Sequence, residues 1–171
     1  MRVVVVLGLF IFTLSACGQI VVPQESTSGV AEQQTQGAQV FKMGDIVEMG
    51  QVKFTLNAVR LSNGEEYMGP EGGNVYLVAD CTVENLNSEP MTSSSMMMYS
   101  VQDSAGYTYD VAMNTDQKGS LDGEIASGRM LRGEISFEVP QGTTGLDFIF
   151  EPGVFDFGQV IYTIGDVAQY E

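Results

Sequence analysis

The feature that most constrains this chain is a two-residue alternation of apolar and polar side chains, repeated in short runs between residues 52 and 164. Successive side chains of a strand point to opposite faces, so this alternation predicts strands with one buried face. Val52, Phe54, Leu56 and Ala58 alternate with Lys53, Thr55 and Asn57. Val75, Leu77, Ala79, Cys81 and Val83 share one phase of the β-branched run 74–86, which reads as a central strand. Ser95, Met97, Tyr99 and Val101 form a further inward phase, which places Met97 in the core. Asp103-Ser104-Ala105-Gly106 has turn chemistry, and Tyr107-Thr108-Tyr109 returns from it. Ile135, Phe137 and Val139 alternate with Glu134, Ser136 and Glu138 before Pro140, and runs 146–150 and 160–164 complete the set. No stretch of about twelve residues carries a helical period. About seven or eight short strands with turn signals between them predict an all-β fold, an antiparallel sandwich.

The N-terminus reads as an address. Arg2 precedes an apolar run over residues 3–14, and Ser15 and Ala16 are small, the layout of a cleavable signal. The run is shorter than the roughly 20 residues of a spanning helix. Leu14-Ser15-Ala16-Cys17 resembles the lipobox of bacterial lipoproteins. That resemblance implies cleavage after residue 16 and a diacylglycerol on the Cys17 thiol. Two acyl chains hold a protein on a membrane where one does not. The expected location is the extracytoplasmic face of a bacterial membrane. Gly18 stands where an inner-membrane retention Asp would, so a two-membrane host could carry the protein on its outer membrane. Residues 18–39 hold six Gln and no aromatic, the composition of a flexible linker. As a coil they would span roughly 25 Å. The expected organisation is thus a leader (1–16), a lipidated Cys with its linker (17–39) and one sandwich domain (40–171).

Charge narrows the function classes. Seven Lys and Arg face 22 Asp and Glu, with no His, for a net charge of −15. Nothing here could neutralise a run of phosphates, which excludes nucleic acid. The missing His removes the commonest general base and a leading Zn and Cu(II) ligand. With Cys17 acylated, the other cysteine is Cys81, and its strand phase reads as a small core residue rather than a nucleophile.

Several motifs together resemble a telokin-like domain of unknown function found in bacterial surface lipoproteins. They are Met43-Gly44-Asp45 followed by Val52-Lys53-Phe54-Thr55, then Val83-Glu84-Asn85, then Asp103-Ser104-Ala105-Gly106 with Tyr109, and finally Gly128 through Phe137-Glu138-Val139-Pro140. The resemblance covers residues 40–171 and implies an immunoglobulin-like sandwich, grouped with a secreted mycobacterial immunogenic protein. It lends no catalytic residue. The Met-rich stretch 91–98 departs from such domains, which carry mixed aliphatic and aromatic residues there.

Three chemistries compete with simple binding. Met91, Met96, Met97, Met98 and Met113 offer soft thioethers for Cu(I), though strand geometry would send Met97 away from Met96 and Met98. Residues 114–125 imitate the front of an EF-hand loop but carry Lys118 at the fifth position and Ile125 at the twelfth. A non-EF calcium site would use Asp116, Asp122 and Glu124. Glu65-Glu66, or Asp103 with Asp110, could stand as the carboxylates of a small hydrolase, without the Trp common in sugar clefts. Gly72-Gly73 reads as a turn device. No catalytic, cofactor or metal residue is assigned; the one assigned site is lipid attachment at Cys17. The reading is a monomeric, non-catalytic binding or accessory module on a lipid tether, recognising a protein or wall component. Its candidate loops are 62–73 and 115–128.

Overall fold

The computed structural model describes residues 39–65, 67–153 and 158–171. The expected leader, Cys17, the linker through residue 38, and Glu66 lie outside the described residues. In chain order the strands are β1 (Val40–Lys42), β2 (Ile46–Met49), β3 (Val52–Ser62), β4 (Asn74–Asn85), β5 (Met91–Ser93), β6 (Tyr99–Gln102), β7 (Thr108–Tyr109), β8 (Val111–Ala112), β9 (Gly123–Ile125), β10 (Met130–Pro140), β11 (Leu146–Phe150) and β12 (Val160–Gly165). A one-turn helix, α1 (Ser95–Met98), precedes β6, and a 3-10 turn (Val167–Tyr170) follows β12.

One sheet runs β1-β12-β11-β6-β7 and the other β2-β3-β4-β10-β8, with β5 and β9 paired apart from both. The two sheets form a β-sandwich whose filling is the predicted inward phases. Phe54 lies under the rings of Phe148, Phe150, Tyr99 and Tyr162, with centroids 5.9, 4.1, 6.1 and 5.7 Å away. All five are at least 95% buried. Each such ring contributes roughly 1.5–3 kcal/mol through removal from water. Val75, Leu77, Ala79, Cys81 and Val83 are all buried along β4, so Cys81 is the core residue its phase predicts.

The chain changes sheets at Met43-Gly44-Asp45. Gly44 holds φ +90°, a left-handed conformation that favours glycine, and its N–H donates to the Leu56 carbonyl at 2.8 Å. The Asp45 carboxylate accepts from the Lys42 N–H at 2.8 Å and closes the corner. This corner lets β1 pair with β12 in parallel, the one departure among the described residues from the antiparallel pattern expected.

Three further expectations are corrected. Ala58 does not continue the inward phase: a bulge between Leu56 and Ala58 leaves Asn57 as the extra residue and turns Ala58 outward. Ser95 and Met97 are not strand residues, because α1 breaks the run, and Met97 is exposed rather than in the core. Three unbranched Met side chains tolerate a helical turn. Asp122, 27 residues on, secures it by accepting from the Ser95 N–H at 2.6 Å and the Ser95 hydroxyl at 2.9 Å. Loop 115–128 is not continuous, since β9 interrupts it and pairs with β5.

Candidate functional site

The predicted loops 62–73 and 115–128 meet. Past β8 the chain crosses the outer face of the second sheet, and four polar contacts to Asn114 and Asp116 hold it there. Buried Asn114 donates to the Ser136 hydroxyl at 3.0 Å. The Arg60 guanidinium donates to the Asp116 carboxylate at 2.9 Å and to the Asp116 carbonyl at 2.7 Å. It also reaches the Glu134 carboxylate at 2.8 Å. The Ser62 hydroxyl adds a 2.7 Å bond to Asp116. Val78, opposite Arg60 on one side and Ser136 on the other, is 1% exposed although it faces outward.

Two glycines let the crossing segment lie close. A Cβ on Gly133, inside β10, would stand 2.6–2.8 Å from backbone atoms of Ser120. Gly119, at φ +71°, pairs with it in an isolated bridge. An open cleft of about 410 Å³ forms here, lined by Asp80, Lys118, Gly119, Arg132, Gly133 and Glu134.

Most charges of this face are paired. Arg132 grips Asp80 with two bonds of 3.0 and 2.6 Å, and Lys53 meets Glu84 at 2.5 Å. The Asn57 amide, turned out by the bulge, donates to Asp80 at 3.1 Å and to the Thr82 hydroxyl at 2.9 Å. The Arg132 hydrogen bonds hold Asp80 below the usual carboxylate range, against partial burial. Ser62 and then Arg60 do the same for Asp116. A general acid needs the opposite shift.

The other candidates are also committed elsewhere. Asp103 loses some hydration, which pushes it up. The N–H groups of Tyr107 and Ala105 and the Tyr109 hydroxyl, each at 2.9 Å, outweigh this and hold it down. Asp103 therefore builds the turn that its sequence predicts. Of the calcium trio, Asp116 is taken by Arg60 and Ser62, and Asp122 by Ser95. Among the described residues no group of three or more His, Cys, Asp or Glu side chains is placed to hold a metal. Met91 and Met98 pack on the core, whereas Met96, Met97 and Met113 are exposed. Burial pushes the Cys81 thiol well up, which leaves it protonated and inert. No described helix is long and apolar enough to cross a membrane.

The sequence reading names Asn85 within the Val83-Glu84-Asn85 motif but gives its side chain no role. The residue is fully buried, and its amide donates to the Glu89 and Ile125 carbonyls at 2.8 Å each while accepting from the Asn87 N–H at 2.8 Å. One side chain thereby ties β4 to the β5–β9 pair. A strand-terminal Asn before a Ser/Asn-rich turn was the available signal.

Two packed sheets with two loops joined across one outer face define the class: a β-sandwich domain. The chain belongs to the family described as "Domain of unknown function (DUF4352)", which matches residues 41–160. Similar solved structures share its fold. The yjhA protein from Bacillus subtilis matches at a TM-score of 0.56 and 16% identity, over 71% of this chain and 97% of that one. The secreted protein MPT63 from Mycobacterium tuberculosis matches at 0.55 and 18%, over 75% and 99%. The ycdA protein of Bacillus subtilis, described as a candidate lipoprotein, matches at 0.60 and 13%, over 73% of this chain and 39% of that one. No curated protein matches the chain.

Proposed function

We propose that this protein is an extracytoplasmic, non-catalytic binding or accessory module, held on a bacterial membrane by lipid at Cys17. The observation that carries the non-catalytic part is the engagement of the carboxylates by neighbouring donors: Asp80 by Arg132, Asp116 by Arg60 and Ser62, and Asp103 by its own turn and Tyr109. Asp80, Asp103 and Asp116 are all held low by donors, a state suited to fixing structure and unsuited to proton transfer. The lipobox-like Leu14-Ser15-Ala16-Cys17 supports the anchor, and the descriptions of two similar structures as secreted or lipoprotein-like agree with an exterior location. Recognition would fall to the loops, on a fold whose strands serve as a rigid support.

Mass spectrometry of the N-terminal peptide from membrane-fractionated protein tests the anchor: an acylated Cys17 is expected, and Cys17→Ala should release or strand the precursor. A soluble wild type with no lipid mass would overturn the anchor. A turnover reaction abolished by one acidic substitution would overturn the binding role.

A further inference from the structure

We infer that a groove beside α1 docks a basic amphipathic segment of a partner protein. This deepens the binding role proposed above and rests on it, but not on lipid at Cys17.

The strand register gathers an apolar surface at one end of the sandwich. Val40 pairs with Ile161, Val160 with Phe150, and Phe150 with Tyr99, so β1 begins where β11 ends and β6 starts. α1 sits directly before Tyr99, and the Met98 carbonyl accepts from the Glu151 N–H at 2.8 Å. Asn85 and the Ser93–Tyr99 contact bring β5 and β9 to the same end. Here Met96 is 85% exposed and Met97 66%, values that core-facing residues of a strand never reach. Between them and the β11 end lies a groove of about 220 Å³, with Thr92, Ser94, Met97, Met98, Glu151 and Pro152 in its walls. Small-molecule pockets run to roughly 300–1,000 Å³, so this one suits a protruding side chain of a peptide better.

Charge selects the occupant. Glu151 lines the groove; Glu124 is the cross-strand partner of Thr92, which also lines it; and Asp122 sits on Ser95. All three carboxylates are exposed, and among the described residues no Lys or Arg lines the groove. An acidic rim around flexible thioethers matches an apolar ridge flanked by cations, and Met adapts its shape to such a ridge. The same rim repels an anionic bilayer.

The test labels the methionine methyl groups of the chain, purified from its producing cells, and titrates them with a synthetic helical peptide of Leu and Lys. A Leu/Glu counterpart and phosphatidylcholine vesicles, with and without phosphatidylglycerol, are run alongside. The Leu/Lys peptide should shift the Met97 and Met98 signals before those of Met43 and Met113. Met97→Gln, an exposed change, should weaken binding about fivefold or more without moving the melting temperature. Glu151→Gln should weaken it too, as should raising salt from about 50 to 300 mM. Shifts spread evenly over all methionines, equal binding by the Leu/Glu peptide, or vesicles alone perturbing Met97 would overturn the inference. None of these readouts depends on acylation, so loss of the anchor and loss of the groove remain separable.

Discussion

Tyr162, in the middle of β12, donates its hydroxyl proton to the carbonyl of Asp45, 2.9 Å away and 117 residues earlier in the chain. The Phe54 carbonyl stands as a second acceptor at 3.2 Å. One side chain of the first sheet thus satisfies the backbone of the corner that feeds the second. Burial pushes the phenol up, so the proton stays in place for this bond. Tyr162→Phe keeps the ring and removes the bond. It should cost about 0.5–1.5 kcal/mol in urea unfolding, because a part-buried bond to the corner is lost along with the longer one to the Phe54 carbonyl. An unchanged midpoint would mean that water replaces the hydroxyl.

Gly133 tests the crossing segment. A methyl group there meets the Ser120 backbone at 2.6–2.8 Å, and backbone yields less readily than a side chain. Gly133→Ala should destabilise by about 1–3 kcal/mol through overpacking. Gly72 has open space around its missing Cβ and no left-handed φ, so Gly72→Ala should be neutral or slightly stabilising. Equal effects at both positions would remove the close approach as the cause.

Cys81 should be chemically silent in the folded protein. It is fully buried at the centre of β4, and burial raises its pKa. A thiol reagent should label it only at the rate of unfolding. Cys81→Ser should cost about 1–3 kcal/mol by burying a hydroxyl. Rapid labelling without denaturant would contradict the core placement.

Stability should fall at both ends of the pH scale. Asp80 and Asp116 titrate lower folded than unfolded, where a free Asp sits near about 3.9. Their contribution is present above that value and is lost as pH falls through the folded range. Tyr99 and Tyr162 titrate higher folded, through burial, than the roughly 10 of a free Tyr. Their contribution is present below about pH 10 and is lost as pH rises beyond it. Asp80→Asn should flatten the acid limb while costing about 0.5–1 kcal/mol at neutral pH, because Arg132 is well exposed. Melting temperatures measured across pH for both proteins decide this.

The sandwich was legible because the inward positions of its longer strands recur every second residue and are buried, even where outward neighbours such as Val78 and Ser136 are covered as well. The β4 phase and runs 146–150 and 160–164 transfer directly to the structure. The strands that the pattern does not show are β1, β2, β5, β8 and β9, each two to four residues long. A period cannot be read from so few positions; partners elsewhere in the chain define them. The same reason hides the α1 turn, whose cap is Asp122, and the Asn57 bulge, whose bonds run to Asp80 and Thr82. Charge pairing was the least legible part. Asp116 looks like a calcium ligand in its own loop, and only the fold brings Arg60 to it across 56 positions.

Arg60 offers the most direct check on how the two loops are joined. Its guanidinium spans Asp116 on the crossing segment and Glu134 on β10, and the Lys118 N–H donates to that same Glu134 carboxylate at 3.0 Å. Arg60 and Asp116 are both over a third exposed, so solvent screens the pair and its removal should cost little global stability. The local effect should be larger, because segments held by exposed polar contacts open well below the global unfolding free energy. Arg60→Gln should therefore speed hydrogen exchange at the Asp116 and Lys118 amides by about tenfold while leaving Leu77 and Val101 protected. Exchange rising equally at all four amides would make Arg60 a determinant of the whole sandwich. Unchanged exchange at Asp116 and Lys118 would show that Ser62, the Asn114–Ser136 bond and the Gly119–Gly133 approach hold the segment without it.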